Sequence, residues 1–410
     1  MSRYLSDKSS PFYIDHPERV KKLQALMREK GIDVYLGSRL RTMSWLTDVF
    51  CPWRSYIVIP KEGLPTAFIF VIDAGRVADE TWLPEENVLA FAPMGGMDQI
   101  SIISNFITEE CLKGKEGVIG VEAGMGCYLP EGNLTHYEYE RFAQELAPCK
   151  LVNALDLVDS LQMIKDIGTI NRFRHASKIV DFGHERFLKH IQNGGWKGMT
   201  ETEVAGLCGY YMRQAGSVWE WSFTGGNEIA SGYRTGIASC ACTPPTDKKL
   251  EAGEPLMVDI HAMFKLATGD HSHNYFLGHA TPRQLWHAKN FEDIVKETLK
   301  TYRAGITPSE LSNQMLEFAA KRGFAEYMVP GFEHGIGMLG DEWRIGLNDG
   351  PIEYWTNPDH VYRENEMVIC AMQYACPEEN IGFRYENPIL INKNDCEWMS
   401  KFPLEIQVIK

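Results

Sequence analysis

Apolar residues recur at helical spacing in PERVKKLQALMREKG, where Val20, Leu23, Leu26 and Met27 form one stripe and Gly31 stands past its end; this predicts an amphipathic helix. Short runs rich in branched and aromatic residues, IDVYLGS, RSYIVIP, LPTAFIFV and GVIGVEAG, predict strands. The two patterns alternate up to about residue 150, so the N-terminal part reads as an α/β domain. A long helical pattern then begins with RFRHASKIVDFGHERFLKHI. Thr200 precedes another helix, with Glu203 placed to complete a capping box. The chain is strand-like from Gly216 to Gly278, turns helical in NFEDIVKETLKTYRAG and ELSNQMLEFAAKRG, and ends in strands. There are no internal repeats or low-complexity segments. The change of pattern divides the chain into residues 1–158, an α/β domain, and 159–410, an α+β domain.

Composition narrows the function. The 410 residues are 44% hydrophobic, and 41 Lys+Arg against 55 Asp+Glu leave a net charge of −14. Two domains suit that length better than one core. An acidic chain without clustered basic residues does not suit a phosphate backbone, so no nucleic-acid partner is expected. No apolar run approaches the roughly 18 residues of a membrane span, and the first residues lack a signal-peptide core, so we expect no membrane and a cytoplasmic location. Ten cysteines without repeated Cys-x-x-Cys pairs read as small buried side chains.

The chemistry concentrates in LMVDIHAMFKLATGDHSHNYFLG. Two strands, Leu256 to Ala262 and Asp270 to Leu277, are predicted with a turn around Ala267 to Gly269. Asp259 lies inside an apolar strand, where an unpaired carboxylate costs several kcal/mol, so it demands a cation or a dense set of donors. A hairpin brings Asp270 towards it, and a divalent ion between the two relieves their repulsion. Period-two alternation sets His261 on the Asp259 face and turns His271 and His273 to the other. Downstream, His334 sits among glycines in VPGFEHGIGMLGDEW, as a metal ligand or a general acid/base, and Glu386 lies in the apolar strand NIGFRYENPILIN. Gly335-x-Gly337-x-x-Gly340 lacks the strand-to-helix context of a dinucleotide site. His184 and His190 are expected on a solvated surface.

VDIHAMFKLATGD, GFEHGIG and FRYENPILI resemble the metal-binding segments of the pita-bread superfamily of methionine aminopeptidase, prolidase, aminopeptidase P and creatinase. The resemblance covers the whole chain. It implies an α/β N-terminal domain followed by a pita-bread catalytic domain, a homodimer, and a divalent metal such as Mn, Fe, Zn or Co. Asp259, Asp270, His334 and Glu386 match four of the family's five ligands, whereas Met372 stands at the fifth, with Gln373 beside it. A thioether cannot replace a carboxylate for a hard cation, so either one metal position is weakened or empty or His261 compensates, and one ion per subunit or fewer is expected. Asp341 and Cys242 stand where family peptidases carry histidines that bind and protonate the substrate.

The same resemblance implies a small substrate. VFCPWRSYIVIP is similar to the creatinase segment whose arginine grips a substrate carboxylate, which gives Arg54 that role; Arg344 is a second candidate. Trp53, Trp219 and Trp221, with Cys242, are candidate pocket walls. GDEW and SGYRTG resemble segments of the dimethylsulfoniopropionate lyases, in which an extra Asp ligand stands where His261 does here. The leading expectation is a metal-dependent hydrolase cleaving a C–N bond of a small carboxylate-bearing non-peptide molecule. In it His334, Asp341 and Glu342 are the candidate acid/base groups. The alternatives are a C–S or C–N lyase, an Xaa-Pro peptidase and a metal-free binding protein.

Overall fold

A computed structural model describes residues 7–92, 98–123, 132–220, 225–238, 243–329, 333–342 and 360–410. It divides into two compact units, Met1–Met163 and Ile164–Lys410.

The first unit runs α1 (His16–Glu29), β1 (Val34–Gly37), α2 (Leu40–Thr47), β2 (Tyr56–Pro60), β3 (Thr66–Phe70), α3 (Val71–Glu80), β4 (Val88–Phe91), α4 (Gln99–Phe106), β5 (Val118–Val121), α5 (His136–Glu145), β6 (Lys150–Asn153) and α6 (Leu155–Met163). The predicted first helix and four strands are α1, β1, β2, β3 and β5. Its mixed sheet has the order β4-β3-β2-β1-β5-β6. Val34, Leu36, Val58, Phe68, Ile119 and Val121 pack with Ile103 and Phe142 in its core. At the end of β5 the fully buried Glu122 accepts hydrogen bonds from Tyr35 Oη, the Ser38 and Arg39 amides and Arg39 Nε, at 2.6–2.8 Å. Arg39 Nη2 in turn reaches Asp159 of α6 at 2.7 Å. That tie holds α6 in the first unit, so the division falls after Met163 where the sequence pattern placed it after residue 158.

The second unit runs α7 (Ile167–Ile191), α8 (Glu201–Gln214), β7 (Glu228–Ser231), α9 (Tyr233–Ala238), β8 (Pro255–Phe264), β9 (Ala267–Leu277), α10 (Pro282–Thr301), α11 (Pro308–Arg322), β10 (Glu333–Gly337), β11 (Gly340–Glu342), β12 (Met367–Cys376), β13 (Ile381–Ile391), β14 (Cys396–Trp398) and β15 (Gln407–Ile409). Asp166 caps α7 through Thr169 N at 2.8 Å, and Thr200 with Glu203 forms the predicted box at α8. The strands make two sheets, β11-β10-β12-β13-β14 and β15-β9-β8-β7, and β13 packs beside β9. Asn274 of β9 joins the two. Its amide donates to Arg384 O at 2.7 Å and accepts from Arg384 N at 3.2 Å, as a ladder partner would.

The β8–β9 turn differs from expectation. It is the two-residue turn Lys265-Leu266, with φ of 47° and 65°, and not Ala267 to Gly269. Left-handed turns of this kind favour glycine or asparagine, so neither residue signals it. Gly269 serves packing instead, since a Cβ there would lie 2.5 Å from the Ala176 carbonyl of α7.

His184 is not on the surface. It is fully buried, its Nε2 lies 2.9 Å from the His271 carbonyl, and its ring stands edge-on to His271 and His273, which occupy the predicted opposite face of β9. Burial lowers His184 to about 4 and His273 well below the ordinary imidazole value. The unfolded chain therefore binds protons from about pH 6.5 downwards that the folded chain refuses. Stability should fall on acidification over that window, by up to about 1.4 kcal/mol per pH unit for each ring. Urea unfolding at pH 7 and pH 5 should show a shallower loss in His184→Gln than in the parent; equal slopes would refute this.

Candidate metal centre

Four side chains converge on the inner face of the two sheets. One ligand atom from each of Asp259, His261, Asp270 and Glu386 lies within 4.8 Å of every other, and all four residues are buried. The β8–β9 register explains the first three: His261 pairs with Asp270 and Asp259 with Ser272, so their side chains share a face. Glu386 arrives from β13.

The electrostatics are those of crowded carboxylates. Burial and the charges of Asp259 and Asp270 push Glu386 well above the usual carboxylate range. Burial opposes ionisation of Asp270 too, but the neighbouring His261 outweighs it and lowers that group. His261, despite a burial that disfavours charge, is raised well above its ordinary value by Asp270, Asp259 and Glu228. Its Nε2 stands 3.4 Å from Asp270 Oδ1, while Nδ1 lies 3.1 Å from the Gly226 carbonyl. A backbone acceptor at Nδ1 is the arrangement that orients Nε2 of a ligating imidazole.

Two groups absent from the sequence reading complete the cluster. Arg384 is almost fully buried, with Nη1 2.8 Å from Asp259 Oδ2 and 2.5 Å from Glu228 Oε2, and Nε 3.9 Å from Glu386 Oε1. Arg384 lies two residues before Glu386, so period-two alternation was a usable signal. Glu228 in GNEIAS gave none beyond being charged in a strand. The guanidinium does not satisfy every oxygen. Asp259 Oδ1 and Asp270 Oδ1 are buried and accept no hydrogen bond. Orphaned carboxylate oxygens facing an imidazole fit a divalent cation of the Mn, Fe, Zn or Co type.

His334 of β10 sits beside the cluster. It pairs with Ile369 of β12 and its charge lowers Asp270; Nδ1 lies 3.0 Å from the Gly335 carbonyl. In the same register Glu386 stands opposite Ala371, not Met372, which pairs with Tyr385 on the other face. The β12 position facing Glu386 therefore offers a methyl group, with Gln373 two residues along opposite Arg384. Glu342 pairs with Gly335, the neighbour of His334, and its carboxylate lies over Gly337. There its Oε2 makes a buried 2.8 Å ion pair with Lys165, a residue the sequence pattern does not single out. Asp341 pairs with Ile336, and its side chain lies outside the described residues.

The candidate substrate contacts fare differently. Arg54, in the first unit, spends its fork on Glu138, with Nε to Oε1 at 2.8 Å and Nη2 to Oε2 at 2.6 Å. Its remaining donors go to the Ser38, Gly132 and Asn133 carbonyls. In this arrangement every N–H of Arg54 is committed within the first unit. Trp53 is exposed in the same unit and leans on Phe70. The Trp219 carbonyl accepts from Met263 N at 3.1 Å, which seats that segment beside β8 two residues beyond His261. Trp221, Cys242 and Arg344 lie outside the described residues.

Comparison with known proteins agrees with this layout. The model of the creatinase/prolidase N-terminal domain matches residues 19–164, and that of metallopeptidase family M24 matches residues 171–393. An Xaa-Pro dipeptidase of Pyrococcus horikoshii is 24% identical over 95% of this chain and 98% of its own. An ectoine hydrolase of Halomonas elongata is 23% identical over 96% and 97%. The X-Pro aminopeptidase structure from Thermotoga maritima superposes with a TM-score of 0.78 at 21% identity, covering 95% of this chain and 99% of its own. Among the described residues no helix is long and apolar enough to cross a membrane.

Proposed function

This chain belongs to metallopeptidase family M24 and is a metal-dependent hydrolase, and from that premise we propose that it hydrolyses a C–N bond in a small carboxylate-bearing molecule other than a peptide, using one ion per chain. The observation that carries the proposal is the residue opposite Glu386. Ala371 supplies no oxygen there, so among the described residues the clustered donors are Asp259, Asp270, Glu386 and His261, enough for one hard cation and short of two. An ectoine hydrolase alignable over nearly the whole chain supports a non-peptide substrate within this architecture.

Asp259, His261, Asp270 and Glu386 would hold a divalent ion, which would supply Lewis acidity. The chain's own residues do the rest. Arg384 fixes Asp259 and Glu228 by direct hydrogen bonds, so the carboxylates present one geometry. Asn274 locks the Arg384 backbone to β9 and thereby sets Glu386 against Asp270. His334, with Nδ1 engaged at the Gly335 carbonyl, exchanges a proton with the leaving nitrogen through Nε2. Arg344, two residues past Glu342 in the chain, is the remaining candidate for the substrate carboxylate.

A second reading, an Xaa-Pro dipeptidase, is favoured by the relatives so named, among them the Pyrococcus horikoshii protein. Metal analysis and product analysis separate the two. We expect one tightly held ion per chain, and water-consuming cleavage of cyclic amidines or guanidino acids at a kcat/KM more than about tenfold above that for Xaa-Pro dipeptides. Two tight ions and faster turnover of Xaa-Pro dipeptides would establish the second reading. An alkene product would mark a lyase, and metal-free protein with an intact fold a binding protein.

A further inference from the structure

The opposite face of the β12–β13 hairpin carries a different set of ligands. Along β12, Tyr374 and Cys376 alternate with Ala371 and Gln373, so they point away from Glu386 and towards α10. Cys376 is also five residues along the strand from Ala371, about 17 Å at the usual rise. Beyond Cys376 the chain makes one tight turn, Pro377–Glu379, which brings Glu379 back beside His287 of α10.

We propose that His287, Cys376 and Glu379 form a zinc site independent of the catalytic cluster, clamping the β12–β13 turn to α10. One ligand atom from each lies within 4.8 Å of the others. Nitrogen, sulfur and oxygen donors around a tetrahedral zinc lie about 3.5 Å apart, so closure needs only small side-chain movements. His287 Nε2 already stands 3.3 Å from Glu379 Oε1.

Two features favour an ion over a plain ion-pair network. His287 is fully buried, yet its Nε2 makes no hydrogen bond. Its other nitrogen, Nδ1, lies 2.5 Å from Tyr374 Oη, the outer contact that fixes the ring and leaves Nε2 to ligate. Arg283 does not block the site. It donates to both Glu379 oxygens, at 2.8–3.1 Å, and a carboxylate retains lone pairs for a cation on its other side. Binding releases the Cys376 thiol proton to solvent and forms the sulfur–metal bond. Cys376 and His287 are buried while Glu379 is solvent-exposed, so an ion enters from outside and a water completes its shell.

Cobalt(II) provides the test, because the catalytic cluster holds no sulfur. Titrating the metal-free full chain with cobalt should develop a near-ultraviolet thiolate-to-cobalt charge-transfer band that saturates at one equivalent for this site and is displaced by zinc. Cys376→Ser should abolish the band. Glu379→Gln, at a solvent-exposed position that tolerates change, should weaken cobalt binding more than about tenfold. Asp270→Ala should keep the band, so failure of the catalytic assignment cannot be mistaken for failure of this one. No band from the folded chain, or the same band in Cys376→Ser or undiminished affinity in Glu379→Gln, would overturn the proposal.

Discussion

Replacing Glu386 by Gln should cost catalysis more than about 100-fold and, in the metal-free protein, raise stability at neutral pH. The two effects share a cause. Burial together with Asp259 and Asp270 pushes the Glu386 carboxyl well above its ordinary value of 4.5. Above that value the unfolded chain gives up a proton that the folded chain keeps, so stability is lost as pH rises from 4.5 towards the folded value. A neutral amide of the same shape removes this penalty. It also removes an anionic oxygen from the donor set, and outer-shell partners of a metal alone are worth 10–100-fold, so loss of a direct ligand should exceed that range. Urea unfolding in chelator at pH 5 and pH 8 should show a stability gain that grows with pH, while the variant retains no tightly bound ion. A variant that unfolds more easily than the parent at pH 8, or that keeps its metal, would remove Glu386 from the ligand set.

This opposition shows why the centre was partly legible in the sequence. A carboxylate inside an apolar strand is so costly that Asp259 demands a cation or a dense set of donors by position alone; period-two alternation sets His261 on its face, and the hairpin register brings Asp270 opposite His261. What stayed hidden were partners whose meeting depends on the tertiary fold. Arg384 lies 156 residues from Glu228 and 125 from Asp259, and the Lys165 pair with Glu342 spans 177. No local pattern encodes such distances. His184 was misplaced for a related reason. It belongs to the buried stripe of α7 with Val180 and Phe187, and spacing measured only against His190, which is exposed, concealed that stripe. The Lys265-Leu266 turn escaped because its left-handed backbone is imposed by the ten-pair β8–β9 ladder and not by glycine. The Arg54 partner Glu138, which also completes the capping box of α5, is hidden in the same way, 84 residues away.

Arg384→Met should destabilise the metal-free protein by about 3–5 kcal/mol, the usual cost of removing one partner from a buried ion pair. The guanidinium bonds Asp259 and Glu228 directly, and both carboxylates are nearly inaccessible to water. Methionine fills the volume but leaves that negative charge uncompensated. Added divalent metal should return part of the loss, because an ion that binds only the folded state stabilises it by mass action and offsets some of the same charge. The deficit should therefore be larger in chelator than in saturating manganese. Glu228 supplies the control. Removing both ends of a buried pair is often neutral, so Arg384→Met with Glu228→Leu should recover more than about 2 kcal/mol relative to Arg384→Met alone. If Arg384→Met costs under about 1 kcal/mol without metal, or Glu228→Leu recovers nothing, the guanidinium is not what holds these carboxylates together, and the single-ion geometry built on it loses its support.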